Sequence, residues 1–216
     1  MPANASINPF FIFQTNMINI KKIALLSLFV FLGLYANSQS LSLEAQAKFN
    51  LNWLNSNGLK SWIPGYHVQL AAIREHNWFD YGLGAFYELR GFSSRSSFTD
   101  LEPLSSDYWH FVGLSAVFNT HIGPHYKAGL GLEPAWLVSA RNPVGSYTDE
   151  INRRFDLSAT LSFQRSLGER SAIQLSYRFS SLLAPKQVFT DANGQKIEGL
   201  LSSQGLRIGY IYRLHG

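Results

Sequence analysis

The sequence of 216 residues contains no cysteine. This absence excludes a disulfide scaffold, a thiolate zinc site, a cysteine nucleophile and a lipid-modified cysteine anchor. Charge is scarce as well, at 15% of the residues against about 25% in average soluble proteins. The net charge is +4, and the densest basic group is the pair Arg153 and Arg154. Because the basic residues form no stripe, we expect no nucleic-acid partner.

Repeated long apolar runs are also missing, although 46% of the residues are hydrophobic and 14% are aromatic. A bundle of membrane-spanning helices needs several runs of about 20 apolar residues. The mean hydropathy is −0.04, because Ser, Asn, Gln and Gly interrupt the apolar residues. The aromatic content is too high for a disordered chain. This combination is unusual for a soluble protein and typical of a membrane β-barrel.

Residues 17–38 have the composition of a cleaved secretory signal peptide. Lys21 and Lys22 supply a positive start, Ile23 to Tyr35 an apolar centre, and Ala36 to Ser38 the small residues that signal peptidase requires. The apolar part is too short to cross a hydrocarbon core of about 30 Å as a helix. A retained membrane anchor is therefore the weaker alternative.

Residues 1–16 precede this signal and contain no Lys or Arg. We interpret them as a misassigned extension ahead of a true start at Met17. Removal of the leader leaves residues 39–216, which we expect to form one domain, since no linker divides them and no stretch keeps a helical period.

The segment from Leu41 to Trp53 is apolar at every odd position and polar at every even position. This alternation is longer than a common strand of about 5–6 residues. It is long enough for a tilted membrane-spanning strand, which takes about 9–11. A helix would mix Glu44 and Lys48 with apolar neighbours, whereas a strand puts all the apolar groups on one face.

Similar alternation recurs in seven further segments. One of them, residues 108–118, is ambiguous, because both its odd and its even positions carry apolar residues. The sequence therefore predicts an all-β fold, an eight-stranded antiparallel up-and-down transmembrane β-barrel. The other six predicted strands are 66–72, 79–90, 126–136, 155–164, 173–180 and 206–213.

The links between these strands alternate between short and long, as in membrane barrels with tight periplasmic turns and longer outside loops. Aromatic residues gather near the strand ends, as in the girdles of such barrels. A β-sandwich or a lipocalin-like barrel with these aromatics inside is the alternative. The short links are 75–78, 121–125 and 166–170, and the long ones are 55–64, 93–107, 142–153 and 185–203.

Charged residues fall on the polar parity of the strands, which would face the lumen. An eight-stranded barrel is just wide enough for its side chains to fill it. We therefore expect opposite charges to pair inside and close the lumen, rather than to line a selective pore. These residues are Glu44, Lys48, Asp80, Glu88, Arg90, Lys127, Glu133, Asp156, Arg178, Arg207 and Arg213.

Two groups were considered as chemical sites. His121 and His125 flank Gly-Pro in a predicted turn, and with Glu133 they would make an incomplete metal site. A Ser-rich link near His110 is the candidate for a lipid-hydrolase site, with Ser93, Ser94, Ser96 and Ser97. Neither group has a diagnostic spacing. We therefore assign no catalytic, cofactor-binding or metal-binding residue and expect no cofactor.

The chain resembles the small outer-membrane β-barrels of Gram-negative bacteria, in particular the OmpA/OmpX-like and PorT-like barrels of Bacteroidetes. The ending resembles their C-terminal assembly signal, although Leu214 is followed by His215 and Gly216 instead of closing on an aromatic residue. The resemblance implies a location in the cell outer membrane. It rests on the leader before Gln39, the strand Leu41 to Trp53, the Gly-aromatic segment 81–87 and the ending 209–214.

We therefore expect a non-enzymatic outer-membrane barrel with a filled lumen, whose surface loops bind a partner or serve as an accessory of protein secretion. Its expected partners are the lipid bilayer, the barrel assembly machinery and an envelope or secretion protein. The alternatives are an outer-membrane lipid-modifying hydrolase of the lipid A deacylase kind and a soluble periplasmic ligand-binding barrel.

Overall fold

The computed structural model describes residues 41–54, 63–94, 105–142, 145–146, 148, 151–190, 196–200 and 202–215. The predicted signal peptide, the extension before it, and Ser96 and Ser97 lie outside the described residues. Within the described part, no helix is long and apolar enough to cross a membrane.

Twelve strands make up the described chain, and eight of them are long. Each long strand pairs antiparallel with the next long strand, and the first pairs with the last, so the sheet closes into an eight-stranded barrel. This confirms the predicted fold class. The strands are β1 Leu41–Leu54, β2 Ile63–Glu75, β3 Phe79–Ser94, β4 Ser105–Gly123, β5 Tyr126–Asn142, β6 Gly145–Ser146, β7 Ile151–Arg153, β8 Phe155–Ser166, β9 Ser171–Leu183, β10 Lys186–Thr190, β11 Lys196–Leu200 and β12 Ser203–His215.

The barrel has two distinct ends. Tight connections at residues 76–78, 124–125 and 167–170 lie at the end where β1 begins and β12 finishes, which we call the inner end. The longer links lie at the opposite, outer end, which by the rule for membrane barrels faces the outside. Closure leaves no open edge in the barrel wall, so its backbone groups are paired without water.

The long strands extend beyond the predicted segments, mainly at the outer end. Residues 93–107 were predicted as a link, yet β3 continues to Ser94 and β4 begins at Ser105, and these two residues pair. Backbone hydrogen bonds do not depend on apolar side chains, so the ladder continues past the end of the alternating pattern.

β4 resolves the segment in which both parities are apolar. Trp109 and Phe111 are buried in the lumen, whereas Val112, Leu114 and Phe118 are exposed on the outer wall. The ambiguity arose because the lumen itself contains aromatic side chains near its outer end.

A second, three-stranded sheet stands at the outer end, in the order β11-β10-β7. It was not predicted, because residues 142–153 and 185–203 were interpreted as links. β10 and β11 form a hairpin, and the Arg153 side chain donates hydrogen bonds to the carbonyl oxygen of Ala184. The two longest connections on this side of the barrel are thereby joined.

The outer wall is apolar over the whole circumference of the barrel. Leu130 is 60% exposed and Leu161 51%, and seven of the eight long strands contribute exposed large apolar side chains. On β3 the exposed apolar residue is the small Ala85, and its other outward residues are half-buried. Soluble monomers rarely expose contiguous apolar patches beyond a few hundred Å². A closed barrel with this surface is a transmembrane barrel, and its apolar face contacts lipid.

Candidate functional site in the barrel lumen

The centre of the lumen holds three arginines and three carboxylates, which we call the charged layer. All six residues are at most 3% exposed. They come from five strands of the barrel, so the layer connects opposite walls. Its members are Glu88, Arg90, Glu133, Asp156, Arg178 and Arg207.

Arg207 is the arginine of this layer with the most hydrogen bonds. Its guanidinium donates to both carboxylate oxygens of Glu133, from Nη1 at 2.8 Å and from Nη2 at 2.9 Å. It also donates to Oε1 of Glu88, from Nη2 at 2.8 Å and from Nε at 3.2 Å. The two-pronged contact with Glu133 is the strong geometry for an arginine and a carboxylate.

Arg90 bridges the other side of the layer. Its Nε donates to Oε2 of Glu88 at 2.7 Å, and its Nη1 donates to Oδ2 of Asp156 at 2.5 Å. The guanidinium lies 3.8 Å from the centroid of the Phe111 ring. Ser180 donates a further hydrogen bond to Asp156.

Arg178 is held more loosely than the other two arginines. Its Nη2 donates to Ser203 at 2.9 Å and to Asn52 at 3.4 Å. Its distances to carboxylate oxygens of Glu88 and Asp156 are both 3.8 Å. Its Nε and Nη1 have no hydrogen-bond partner among the described residues.

The charges of this layer cancel, three positive against three negative. Such a buried network is strongly destabilised when one partner is removed, because an uncompensated charge remains in a dry interior. The expected pairing of opposite charges inside the barrel is confirmed for these six residues.

An apolar layer covers the charged layer toward the outer end. Ile151 of β7 belongs to this layer, so one strand of the outer sheet contributes to the apolar cover at the outer end. The Phe86 ring lies against Gly113, where a side chain would collide with it. The layer consists of Phe86, Trp109, Phe111, Ala135, Leu137, Ala140 and Ile151.

Lys48 and His67 lie beside the charged layer on β1 and β2, opposite one another in the register. The His67 ring stacks on Phe86 at 4.9 Å, and its Nε2 bonds Oε1 of Gln69 at 3.1 Å. Gln69 in turn donates to Ser115 at 2.8 Å. This chain of contacts leads from the charged layer toward the inner half of the lumen.

The inner half of the lumen is lined mainly by amides and hydroxyls. A cavity of about 20 Å³ lies among them, and a second of about 20 Å³ lies closer to the inner end. Each has room for about one water molecule. The polar lining includes Gln46, Gln69, Asn119, Thr160, Ser162, Gln164, Gln174 and Ser176.

Ion pairs return at the inner rim. Lys127 lies 2.6 Å from Asp80, and His121 bonds the other oxygen of Asp80 at 3.1 Å. Arg213 pairs with Glu75 and lies 3.8 Å from Glu44. Lys127 and Arg213 are only partly buried, so these rim pairs are closer to water than the charged layer is.

The residues considered for a metal site are not brought together. His121 bonds Asp80 at the inner rim, His125 is exposed in the adjacent turn, and Glu133 is engaged by Arg207 in the charged layer. Among the described residues, no group of three His, Asp or Glu side chains could hold a metal ion.

His110 lies on the outer wall, not in the lumen. Its Nδ1 forms a hydrogen bond with the hydroxyl of Tyr87, which is its partner among the described residues. Ser93 and Ser94 belong to the last pairs of β3 with β4, and their side chains lie outside the described part. Because neighbouring residues of a strand face opposite sides, the inward position of Trp109 implies that His110 faces outward.

No protein-family model and no curated protein matches the chain. Solved structures match its fold. Neisserial surface protein A (NspA) has a TM-score of 0.50 and 12% identity, covering 81% of this chain and 97% of that chain. AlkL, solved in lipid bilayers, has a TM-score of 0.48 and 10% identity, covering 82% of this chain and 92% of its own. OprG of Pseudomonas aeruginosa has a TM-score of 0.44 and 10% identity, with coverage of 82% and 97%.

The likeness to NspA establishes the fold, a small eight-stranded outer-membrane barrel. The apolar outer wall agrees with this fold, because exposed apolar side chains all around a barrel require a surrounding lipid bilayer. The protein is therefore a transmembrane β-barrel with the fold of the small outer-membrane barrels.

Proposed function

We propose that this barrel is a non-enzymatic outer-membrane protein that binds an envelope or secretion protein through its outer sheet, β7, β10 and β11. The observation that carries the proposal is the presence of an ordered sheet beyond a lumen filled by side chains. Passage of solutes through the charged layer would require its hydrogen bonds to break. We therefore assign the function to the outer surface of the barrel instead of to its lumen.

The outer sheet suits protein recognition. β10 pairs with β11 on one side and with β7 on the other, so β11 and β7 are the edge strands of this sheet among the described residues. An exposed strand edge can accept an additional strand from a partner chain. The resemblance to PorT-like barrels supports an accessory role in protein secretion.

The same proposal states that the barrel has no catalytic activity. The one histidine near the Ser-rich link, His110, uses Nδ1 to bond Tyr87. A hydrolase would need a nucleophile and a base within hydrogen-bond distance. Incubation of the purified protein with lipid A, followed by mass spectrometry, tests this part, and loss of an acyl chain with wild type but not with His110→Ala would overturn it.

The binding role is tested by removing the hairpin Lys186–Leu200 and joining its flanks with a Gly-Ser link. Since β9 and β12 pair directly, we expect the barrel to fold, as heat-modifiable gel mobility would report. Crosslinking in the native cell, with mass spectrometry, should recover an envelope or secretion protein with wild type and lose it with the deletion. Identical crosslinks from both chains would contradict the proposal.

A further inference from the structure

A groove runs along the outer wall across β12, β1, β2 and β3. Its volume is about 620 Å³. Small side chains, Ala45 and Ala47 on β1, form its floor, and Val68 and Leu70 on β2 separate them from Ala85 and Tyr87 on β3. Larger side chains of the neighbouring strands form its walls, because Tyr212 lies opposite Ala45 and Tyr210 opposite Ala47. The alanine groove, as we call it, therefore has Tyr210 and Tyr212 on one side of Ala45 and Ala47 and Val68 and Leu70 on the other, on a surface that faces lipid.

The groove leads to a polar group at its outer end. Tyr87 lines the groove, and its hydroxyl bonds Nδ1 of His110 on β4. In the register, His110 lies opposite Ser139 on β5, and Arg141 lies opposite Tyr108. Because opposite residues share a face and Tyr108 is exposed on the wall, the Arg141 side chain starts on the lipid-facing side.

Arg141 is exposed and has no carboxylate partner among the described residues. It differs in this from Arg90 and Arg207 of the lumen, which are ion-paired. Arg141 lies opposite Tyr108 on β4, and two further tyrosines of the wall, Tyr87 on β3 and Tyr66 on β2, have ring centroids 5.8 Å apart. Aromatic residues at the end of the apolar wall mark the headgroup level of the membrane.

An exposed guanidinium at headgroup level meets lipid phosphate, which it can bind with two parallel hydrogen bonds. Two strand spacings, about 10 Å, separate the β3 side of the groove from β5. A long arginine side chain and a lipid headgroup span this distance together. The alanine groove then accepts a chain that descends from the headgroup into the hydrocarbon.

We propose that this wall binds one phosphate-bearing lipid of the outer leaflet that carries several acyl chains, with its phosphate at Arg141 and His110 and one chain in the alanine groove. The site is independent of the outer sheet and of the function proposed for it. It would fix the barrel in the outer leaflet with one lipid in a defined position.

The test uses the full-length mature protein in nanodiscs of phosphatidylcholine doped with lipid A, released for native mass spectrometry. Wild type should retain one lipid A. Arg141→Gln should reduce the retained fraction about tenfold, as expected for the loss of a charge-assisted hydrogen bond. Ala47→Leu, which fills the groove and leaves the phosphate contacts intact, should reduce it as well.

Arg165→Gln is the matched control. Arg165 is also an exposed arginine on the wall, but it lies at the inner end near Tyr126. Its replacement should leave retention unchanged, and heat-modifiable mobility verifies folding for each variant. Equal retention by Arg141→Gln, Ala47→Leu and Arg165→Gln would overturn the site. Retention of doped phosphatidylglycerol as efficient as that of lipid A would overturn the assignment to a lipid with several chains.

Discussion

The outer and inner halves of the lumen are built on the same polar parity of the same strands, yet they are filled differently. The outer half contains the charged layer under an apolar cover, and its carboxylates are fully hydrogen-bonded by arginines and polar neighbours. The inner half contains mainly amides and hydroxyls around cavities of about 20 Å³, and its charged residues, such as Glu44 and Arg213, lie toward the inner rim. A charge in a dry interior needs a partner, whereas an amide can use a single water molecule.

The difference shows that the two halves carry different tasks. The outer half closes the barrel and couples its walls through groups that cannot be removed one at a time. The inner half fills space with neutral polar groups, and we expect these groups to tolerate replacement.

The largest effect is expected for Arg207→Met. The substitution keeps much of the side-chain volume but leaves Glu133 without the arginine that holds both its oxygens, and Glu88 with one arginine fewer. The free energy of unfolding in lipid vesicles should fall by about 3–5 kcal/mol. Urea titration followed by tryptophan fluorescence measures it, and a loss below about 1 kcal/mol would contradict the role of the charged layer.

The second largest loss of stability is expected on the outer wall, where introducing an arginine, rather than removing one, should destabilise the barrel. Leu161 is exposed to lipid, opposite Leu130 on β5 and Tyr177 on β9. Leu161→Arg should cost about 2–4 kcal/mol of unfolding free energy, because an unpaired cation enters the middle of the bilayer. Leu161→Val is the control. An arginine tolerated as well as valine would contradict the assignment of the lipid-facing side.

Arg178→Met should have a smaller effect than Arg207→Met. Arg178 has hydrogen bonds to Ser203 and Asn52, and its closest carboxylate oxygens are 3.8 Å away. We expect a loss of about 1–3 kcal/mol, the range for an unsatisfied buried partner. The same urea titration checks the order, and a loss larger than that of Arg207→Met would reverse the ranking within the charged layer.

The smallest effect is expected in the inner half, for Gln174→Met. Gln174 lies in the register between Gln164 and Gly209, and its Oε1 has no hydrogen-bond partner among the described residues. The unfolding free energy should change by less than about 1 kcal/mol. A loss equal to that of Arg207→Met would remove the contrast between the two halves.

Much of this fold could be predicted from the sequence, because side-chain alternation depends only on local backbone geometry. Glu88 and Arg207 were assigned to the lumen on that basis, and both are buried there. Their pairing could not be predicted. The two residues are 119 positions apart, and the strand stagger that brings them together is a property of the closed barrel.

Two other features needed the tertiary structure. The inward position of Trp109 and Phe111 depends on the register of β4, since the alternation there allows either face. The outer sheet depends on pairing between β7 and β10, which come from separate links, and short strands of this kind leave little pattern in the sequence. The arrangement of Arg141 beside His110 likewise follows from the β4–β5 register.

The closure of the lumen is tested most directly by ion conductance in planar lipid bilayers after insertion of the purified mature protein. The charged layer and its apolar cover span the lumen, so wild type should insert without producing stepwise current above that of the bare membrane. Insertion is verified by protease protection of the same protein in vesicles. Stable open-channel steps from wild type would contradict the account, because ions would then have to pass through the charged layer.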